Sequence, residues 1–330
     1  MNYCIRKRVN LRQSQSVFFR ILNRGVALLR PLKTLVFTVL LGWFCVCVFF
    51  TSVARKAASA KPSPAPLRGV EALSLSQRRA FLRGTLADWR LDTDNHRGIV
   101  PPPIQKPYPA NARRLDLIAP DKFTVGAMSV REAIHDRRSR RDYSDAPFSL
   151  EELSYLLWAT QGISKLERDG DGTLLAQYRT VPSGGAKHPF ESYLFINRVT
   201  GVAPGLYRYL PIEHQLLVIK EDATLGTQVT AACYGQDFIG EAAVTFVWAA
   251  IPYRSEWKYG SIAEKIVALD AGHLCQNLYL AVESIQGGIC AVMGYNQARM
   301  DALLGLDGED EFVIYLAATG KTAGSVRDNP

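Results

Sequence analysis

The chain has 330 residues, 48% of them hydrophobic and 21% charged, a composition typical of globular proteins and not of disordered ones. Its formal net charge is +8, but twelve Lys and Arg residues precede the first acidic residue, Glu71, and removing those twelve from +8 leaves −4 for residues 71–330. The basic balance therefore does not indicate a nucleic-acid partner. Because the chain has no CxxC pair and its five histidines are scattered, no metal site is predicted.

An uncharged apolar run, residues 34–54, follows a basic N-terminal segment, residues 1–33. As a helix this run would span about 30 Å, the thickness of a bilayer core, which predicts a transmembrane helix or signal anchor. Eight cations precede the run and four follow it before Glu71, so we expect the N-terminus in the cytoplasm and the rest of the chain outside it. Cleavage after the small residues Ala58–Ala60 is the alternative, but the long leader favours an uncleaved membrane anchor.

A proline-rich linker, residues 55–74, separates this run from a region predicted to contain a helix and an extended arm, residues 75–126. The helix is expected at Leu75–Trp89, where the pattern is amphipathic. The arm is expected at Pro101–Pro109, because consecutive prolines exclude both helix and sheet hydrogen bonding.

The main domain is predicted at residues 127–322, with a short tail at 323–330. Ser129 with Glu132, and Ser149 with Glu152, have the spacing of capping boxes that begin helices. Apolar runs predict strands at Ser192–Asn197, Gly205–Leu210, His214–Lys220, Ala243–Ile251 and Glu311–Lys321, and a long buried helix at Ser261–Gln286. Because strands and helices do not alternate regularly, the fold class is α+β.

Four arginines surround one serine in DRRSRRDYSD, Asp136–Asp145, within a mildly acidic domain. Guanidinium groups bind phosphate in pairs, and a hydroxyl adds a further donor, so the cluster suits a phosphate better than open solvent. The chain lacks the glycine that a P-loop would need before Gly320, and no GxGxxG follows a strand, so neither an NTPase nor a Rossmann site is indicated. Two glycine motifs, RTVPSGGAKHP (Arg179–Pro189) and GGICAVMGY (Gly287–Tyr295), would let backbone approach a flat ligand.

In order and spacing, these motifs together with LLWATQG, GLYRY and DAGHLCQNLYLA resemble the nitroreductase family of flavin oxidoreductases. Within it they are most similar to the SagB-type dehydrogenases, the branch of the azoline oxidases. The resemblance implies a nitroreductase-like FMN-binding fold with a central mixed sheet and flanking helices, and a homodimer that holds FMN at its interface. It also implies a small-molecule substrate, with NAD(P)H as a candidate electron donor.

The resemblance also implies roles for individual residues. The implied FMN-binding residues are Arg137, Arg138, Ser139, Arg141, Pro182, Ser183, Gly184, Gly288, Ile289 and Lys321. Of these, Pro182, Ser183 and Gly184 would approach the isoalloxazine ring from the partner subunit. Arg140 is the arginine expected to face solvent.

Lys258 and Tyr259 look like the Lys-Tyr pair that azoline oxidases use in proton removal, which implies a catalytic role for both. The function expected from the resemblance is FMN-dependent oxidoreduction by ping-pong hydride transfer through flavin N5. The alternatives are dehydrogenation of azoline-type rings in peptide natural products, and a catalytically degenerate flavin-fold protein that serves as a membrane-tethered binding partner. An extracytoplasmic catalytic domain conflicts with a cytosolic supply of FMN and nicotinamide, so the orientation of the anchor stays open.

Overall fold

A seven-stranded antiparallel sheet forms the centre of the fold, in a computed structural model that describes residues 74–83, 93–172 and 174–322. The strands are β1 Arg114–Asp116, β2 Ile163–Arg168, β3 Leu174–Arg179, β4 Phe190–Ile196, β5 Gly205–Leu210, β6 Gln215–Glu221, β7 Val244–Ala250, β8 Gly287–Val292 and β9 Phe312–Lys321. The helices are α1 Leu75–Arg83, α2 Val130–Asp136, α3 Leu150–Gln161, α4 Leu225–Ala232, α5 Asp237–Gly240, α6 Tyr253–Tyr259, α7 Ala263–Ser284 and α8 Gln297–Leu304. The predicted α+β class is confirmed.

The order of strands across the sheet is β1-β6-β5-β4-β7-β9-β8, and β2 and β3 form a separate hairpin. The expected mixed sheet is wrong, because every pair of neighbouring strands among the described residues of this sheet is antiparallel. Strands β7 and β8 do run in the same direction, but β9 lies between them and pairs with both. The connection from β7 to β8, which contains α7, therefore makes β8 parallel to β7, although the two strands are not hydrogen-bonded to each other.

Two apolar layers cover the sheet, one on each face. Side chains of β7 alternate between them: Phe246 and Trp248 pack with α3 and α7, while Val247 and Ala249 pack with α4 and α8. Every residue of β7 is buried, as expected for a central strand. Helix α7 is therefore fixed against one face of the sheet along its length.

Local signals placed several elements correctly. Both predicted capping boxes are present, with Ser129 at the start of α2 and Ser149 at the start of α3, and each serine oxygen accepts from the backbone N–H three residues on. The predicted hairpin is β5 and β6. Helix α7 is not buried all round as predicted, because Leu269 is 56% exposed in the single chain.

The proline arm, Pro101–Pro109, lies outside the helices and strands and bends at Ile104 and Gln105. Buried arginines hold its backbone: Arg254 Nε donates to Pro103 O at 2.9 Å and Arg208 Nη2 donates to Lys106 O at 2.9 Å. The buried Glu191 carboxylate balances this charge, accepting from Arg254 Nη2 at 2.6 Å. Charge-assisted bonds from buried arginines are strong, so the arm is an integral part of the domain.

Several predicted segments lie outside the described residues. These are the basic segment 1–33, the apolar run 34–54, the linker 55–74 except Ser74, residues 84–89 of the helix predicted at Leu75–Trp89, and the tail 323–330. The predicted transmembrane helix therefore stays a prediction. Among the helices within 74–83, 93–172 and 174–322, none combines the length and the apolar character that crossing a membrane requires.

Candidate active site

The arginine segment, residues 137–141, runs from the end of α2 alongside the edge strand β8. Ser139 forms a parallel bridge with Ile289, and the Arg140 backbone N–H donates to Ile289 O at 2.9 Å. Two of the residues that sequence placed at the cofactor, Ser139 and Ile289, are therefore adjacent. Because backbone bonds fix this register, the side chains on the segment have defined positions.

Tyr279 of α7 lies beneath the arginine segment. Its ring is under the guanidinium of Arg137, 5.2 Å from Cζ to the ring centroid. Its hydroxyl is 2.9 Å from Ser139 Oγ and accepts from the Ala291 backbone N–H at 3.0 Å. One side chain, 9% exposed, thus ties α7 to both the arginine segment and β8.

Arg140 is the arginine that points inward, so the expectation that it faces solvent is wrong. Its Nη1 is 2.5 Å from Glu283 Oε2, and Nη2 donates to Asp136 O at 3.0 Å. The Glu283 side chain is 1% exposed and that of Arg140 is 19% exposed. A carboxylate buried this deeply on α7 needs a cation, and Arg140 is the one that supplies it.

The other two arginines stand nearer the surface. Arg138 is exposed and uses Nη1 to donate to His135 O and Arg137 O, at 2.9 and 2.8 Å. Arg141 Cζ lies 5.6 Å from the ring centroid of Phe238. Arg141 therefore packs against α5.

Gly288 and Lys321, both placed at the cofactor by sequence, contact their own chain. A Cβ on Gly288 would lie 2.9 Å from Thr322 Cγ2 and 3.2 Å from Tyr143 Cε1, so close packing within the domain accounts for this glycine. The Lys321 ammonium pairs with Glu152, the capping-box glutamate of α3, and lies 5.6 Å from the ring centroid of Phe148.

A second cluster forms around the loop Pro182–Gly184, at the other end of α7. Asp270 of α7 accepts from Ser183 Oγ at 2.6 Å and from the Gly184 backbone N–H at 3.2 Å. Burial raises the pKa of Asp270, and the bonds from Ser183 and Gly184 partly oppose that rise. Because Ser183 Oγ also accepts from the His188 N–H at 2.9 Å, Asp270 fixes the conformation of the whole loop.

Lys258 and Tyr259 end helix α6 and reach the same loop. A Cβ on Gly185, whose φ is +57°, would overlap Tyr259 Oη and lie 3.1 Å from Lys258 Nζ. Only a glycine leaves room for these two polar groups at the backbone. Burial raises the pKa of Tyr259, and the charge of Asp270 raises it further.

Sequence reasoning missed the residues that organise both clusters. Tyr279 and Glu283 lie four residues apart on one face of α7, and Asp270 lies on the same helix. A polar group on an otherwise apolar helix was the available signal, since buried polar groups require partners. Nothing in the sequence pattern alone named those partners.

The nitroreductase family pattern matches residues 134–321, which include both clusters. The chain belongs to the nitroreductase family. A candidate nitroreductase of Methanocaldococcus jannaschii is 30% identical over 197 residues, which are 60% of this chain and 93% of that protein.

Solved structures agree with the assignment of the nitroreductase fold. A candidate nitroreductase of Ralstonia eutropha is 26% identical, with a TM-score of 0.52 over 68% of this chain and 95% of that one. A candidate nitroreductase of Anabaena variabilis shares the fold at 22% identity, with a TM-score of 0.53 over 65% of this chain and 42% of that one.

Within this nitroreductase chain the two clusters are well separated. Asp270 and Tyr279 are nine residues apart on α7, which corresponds to about 13 Å along the helix axis. Residues assigned by sequence to one cofactor thus divide into an arginine cluster at the C-terminal half of α7 and a loop cluster toward its N-terminal half.

Proposed function

We propose that this protein is an FMN-dependent oxidoreductase that works as a homodimer and follows a ping-pong cycle. Membership of the nitroreductase family supports the reaction class. The observation that carries the cofactor assignment is the arginine segment, pinned by Tyr279 and Glu283 so that Arg137 and Ser139 share one surface.

The donor chemistry of this segment fits the phosphate of FMN. Arg137 and Arg138 contribute guanidinium groups, each with five N–H donors, and Ser139 contributes a hydroxyl. Within the described part of the chain, Arg138 donates through Nη1 alone, to two backbone carbonyls, so Nε and Nη2 can donate to a ligand. Arg137, Arg138, Ser139 and Ile289 would hold the cofactor in one subunit.

The loop cluster would complete the site from the partner subunit, where bound FMN supplies a hydride acceptor and donor at N5. Pro182, Ser183 and Gly184 would cover one face of the ring, held rigid by Asp270. The separation of the two clusters within one chain supports a shared site. NAD(P)H is the proposed electron donor, and residues 34–54 are the proposed membrane anchor, with its orientation left open.

The first measurement is the visible spectrum of the full chain, purified without added flavin. We expect a yellow protein that releases about one FMN per chain, and parallel double-reciprocal plots with NADH or NADPH and a nitroaromatic acceptor. Arg137→Ala with Ser139→Ala should purify without flavin while keeping the wild-type melting temperature within a few degrees. A colourless wild-type protein that also fails to bind added FMN would contradict the proposal and favour the non-catalytic, membrane-tethered alternative.

Dehydrogenation of an azoline-type ring is the second candidate, favoured by the position of Lys258 and Tyr259 against the loop. A dehydrogenase would need these groups to take a proton from the substrate, whereas a nitro-group reductase would not. Lys258→Ala and Tyr259→Phe should therefore abolish azoline oxidation and leave nitroaromatic reduction within a few fold of wild type. Loss of azoline oxidation and nitroaromatic reduction together would show that Lys258 and Tyr259 do not distinguish a dehydrogenase from a reductase.

A further inference from the structure

Asp270 is a buried titratable group whose proton the proposed cycle does not use. It is 4% exposed, and its Oδ2 is 2.6 Å from Ser183 Oγ. Ser183 itself is only partly buried, and the preceding residue, Pro182, is exposed. A short path therefore runs from a buried carboxyl group, through one hydroxyl, to the surface of the loop Pro182–Gly184.

The groups that face Asp270 come from the loop, from α6 and from α7 itself. Burial raises the pKa of Asp270, while the bonds from Ser183 and the Gly184 N–H and the charge of His273 oppose the rise. His273 Nδ1 is 3.9 Å from Asp270 Oδ1, and because the His273 side chain is 52% exposed, it can exchange protons with solvent. Burial, and then the charge of Asp270, raise the pKa of Tyr259 on α6. Asp270 therefore keeps its proton to a higher pH than an exposed aspartate does.

Reduction of a nitro group requires a proton as well as a hydride. R–NO₂, one hydride and one proton give R–NO and water: the nitrogen gains two electrons, one N–O bond breaks, and the departing oxygen leaves as water. A hydroxyl has one donor and two acceptor positions, so Ser183 Oγ can accept from protonated Asp270 Oδ2 and from the His188 N–H at once. The Ser183 hydrogen is then available to a third group, which suits the departing oxygen of the acceptor.

We propose that Ser183 delivers the proton that accompanies hydride transfer to the acceptor, and that Asp270 replaces it. The proposal rests on the proposed function, because the loop Pro182–Gly184 is taken to border the flavin ring. The Asp270 proton passes to Ser183 Oγ as the Ser183 proton passes to the departing oxygen, and Asp270 is protonated again from solvent. Ser183 is a catalytic residue, since its hydroxyl touches the acceptor, and Asp270 acts through it.

Asp270→Asn tests the relay, because asparagine can accept from the Gly184 N–H and donate to Ser183 Oγ but has no proton to give up. The measurement is the stopped-flow reoxidation of the reduced full-length protein by nitrobenzene or by ferricyanide, which takes single electrons and no proton. We expect the variant to react about a hundredfold more slowly with nitrobenzene, an effect typical of general acid catalysis, and at the wild-type rate with ferricyanide. The wild-type rate with nitrobenzene should fall as pH rises through the pKa of Asp270, and the rate of the variant should lack this response.

The infrared band of a protonated carboxyl group provides a readout that is independent of catalysis. Wild type should retain a band at pH values where ordinary aspartates are ionised, and Asp270→Asn should lack it. Asp301→Asn is the matched control, because Asp301 is also 4% exposed and accepts a backbone N–H, that of Val313 at 2.8 Å, but belongs to α8. It should react with both acceptors as wild type does.

Equal rates of wild type and Asp270→Asn with nitrobenzene would overturn the proposal. Equal loss with nitrobenzene and ferricyanide would also overturn it, because it would indicate a structural role alone. Ser183→Ala carries the same test if Asp270→Asn loses its flavin, and it should show the same selective loss. FMN content and reduction by NADH test the proposed function separately: a yellow protein that NADH reduces, with an Asp270→Asn variant as fast as wild type toward nitrobenzene, contradicts this inference alone.

Discussion

At the scale of single residues, Tyr279 has the most specific consequence for the cofactor site. Its hydroxyl links Ser139 Oγ to the Ala291 N–H, and its ring supports Arg137. Tyr279→Phe keeps the ring and loses both hydrogen bonds, which frees Ser139 and loosens the segment. We expect the Kd for FMN, measured by quenching of flavin fluorescence, to rise about tenfold.

Tyr295→Phe provides the control for this change. It removes the hydroxyl of a partly buried tyrosine, whose bond is to Val313 O at 2.9 Å and not to the arginine segment. Both variants should lose similar thermal stability, but only Tyr279→Phe should weaken FMN binding. Identical Kd values for the two variants would show that Tyr279 has a structural role alone.

His188 makes the stability of the protein sensitive to acid. It is 3% exposed, and burial, with Arg179 and Arg254 nearby, lowers its pKa from 6.5 to about 3. Between those values the unfolded chain binds a proton that the folded chain refuses, so stability is lost as pH falls below 6.5. By pH 5 the loss from this residue is about 2 kcal/mol.

His188→Asn isolates this contribution, because asparagine tolerates the positive φ of +47° at this position. The variant should show a flatter dependence of the unfolding free energy on pH between 5 and 7, measured by urea denaturation. Parallel curves for the wild type and the variant would rule out His188 as the source.

At the scale of elements, the Arg140–Glu283 pair fastens the segment after α2 to the helix α7. Arg140→Ala leaves the Glu283 carboxylate buried without its cation, and we expect a loss of about 3 kcal/mol in unfolding free energy. Arg140→Met combined with Glu283→Leu should recover most of that loss, since two apolar side chains do not leave a charge stranded. Lys165→Ala, which breaks an exposed pair with Glu167, should cost far less in the same urea titration.

Elements whose signals are local were predicted well, and those set by tertiary contacts were not. The capping boxes at Ser129 and Ser149 are determined within four residues, and both are present. Strand β8, at Gly287–Val292, was interpreted as exposed glycine backbone, because its strand conformation depends on pairing with β9. Helix α6 was missed because a seven-residue helix carries too little periodicity to detect.

Prediction of the candidate site was limited in the same way, because contacts between residues distant in the chain cannot be inferred from local sequence signals. Sequence named Ser139, Ile289 and the loop Pro182–Gly184, and these residues do fall into two organised clusters. The sequence could not identify Asp270, Tyr279 and Glu283 as the residues that hold these clusters in place. Each of them bonds to a residue more than 80 positions away in the chain, and Tyr279 also bonds to the backbone of β8. Sequence reasoning misassigned Arg140 because four adjacent arginines look alike until the position of Glu283 is known.

At the scale of the whole molecule, the exposed stripe on α7 is our candidate interface for the proposed homodimer. Leu269, Gly272, His273 and Gln276 recur at helical spacing and are exposed in the single chain. Leu269 is the large apolar side chain on this stripe, 56% exposed in the single chain, and burial against a second copy would remove that apolar surface from water. Two copies packed antiparallel along the stripe would place the C-terminal half of one α7, which carries the arginine cluster, beside the N-terminal half of the other, which carries the loop cluster.

Leu269→Glu places a charge on that stripe, and we expect the full chain to become monomeric in analytical ultracentrifugation. Because the proposed FMN site draws on both subunits, the monomer should also lose its flavin and its yellow colour. This loss should occur over the same range of protein concentration as the dissociation of the dimer. Leu175→Glu changes an equally exposed leucine on the β2–β3 hairpin, and it should leave both the dimer and the flavin intact. A monomeric Leu269→Glu protein that still holds one FMN per chain would show that one subunit is sufficient for FMN binding. The proposal that the partner's loop Pro182–Gly184 contacts the cofactor would then be wrong.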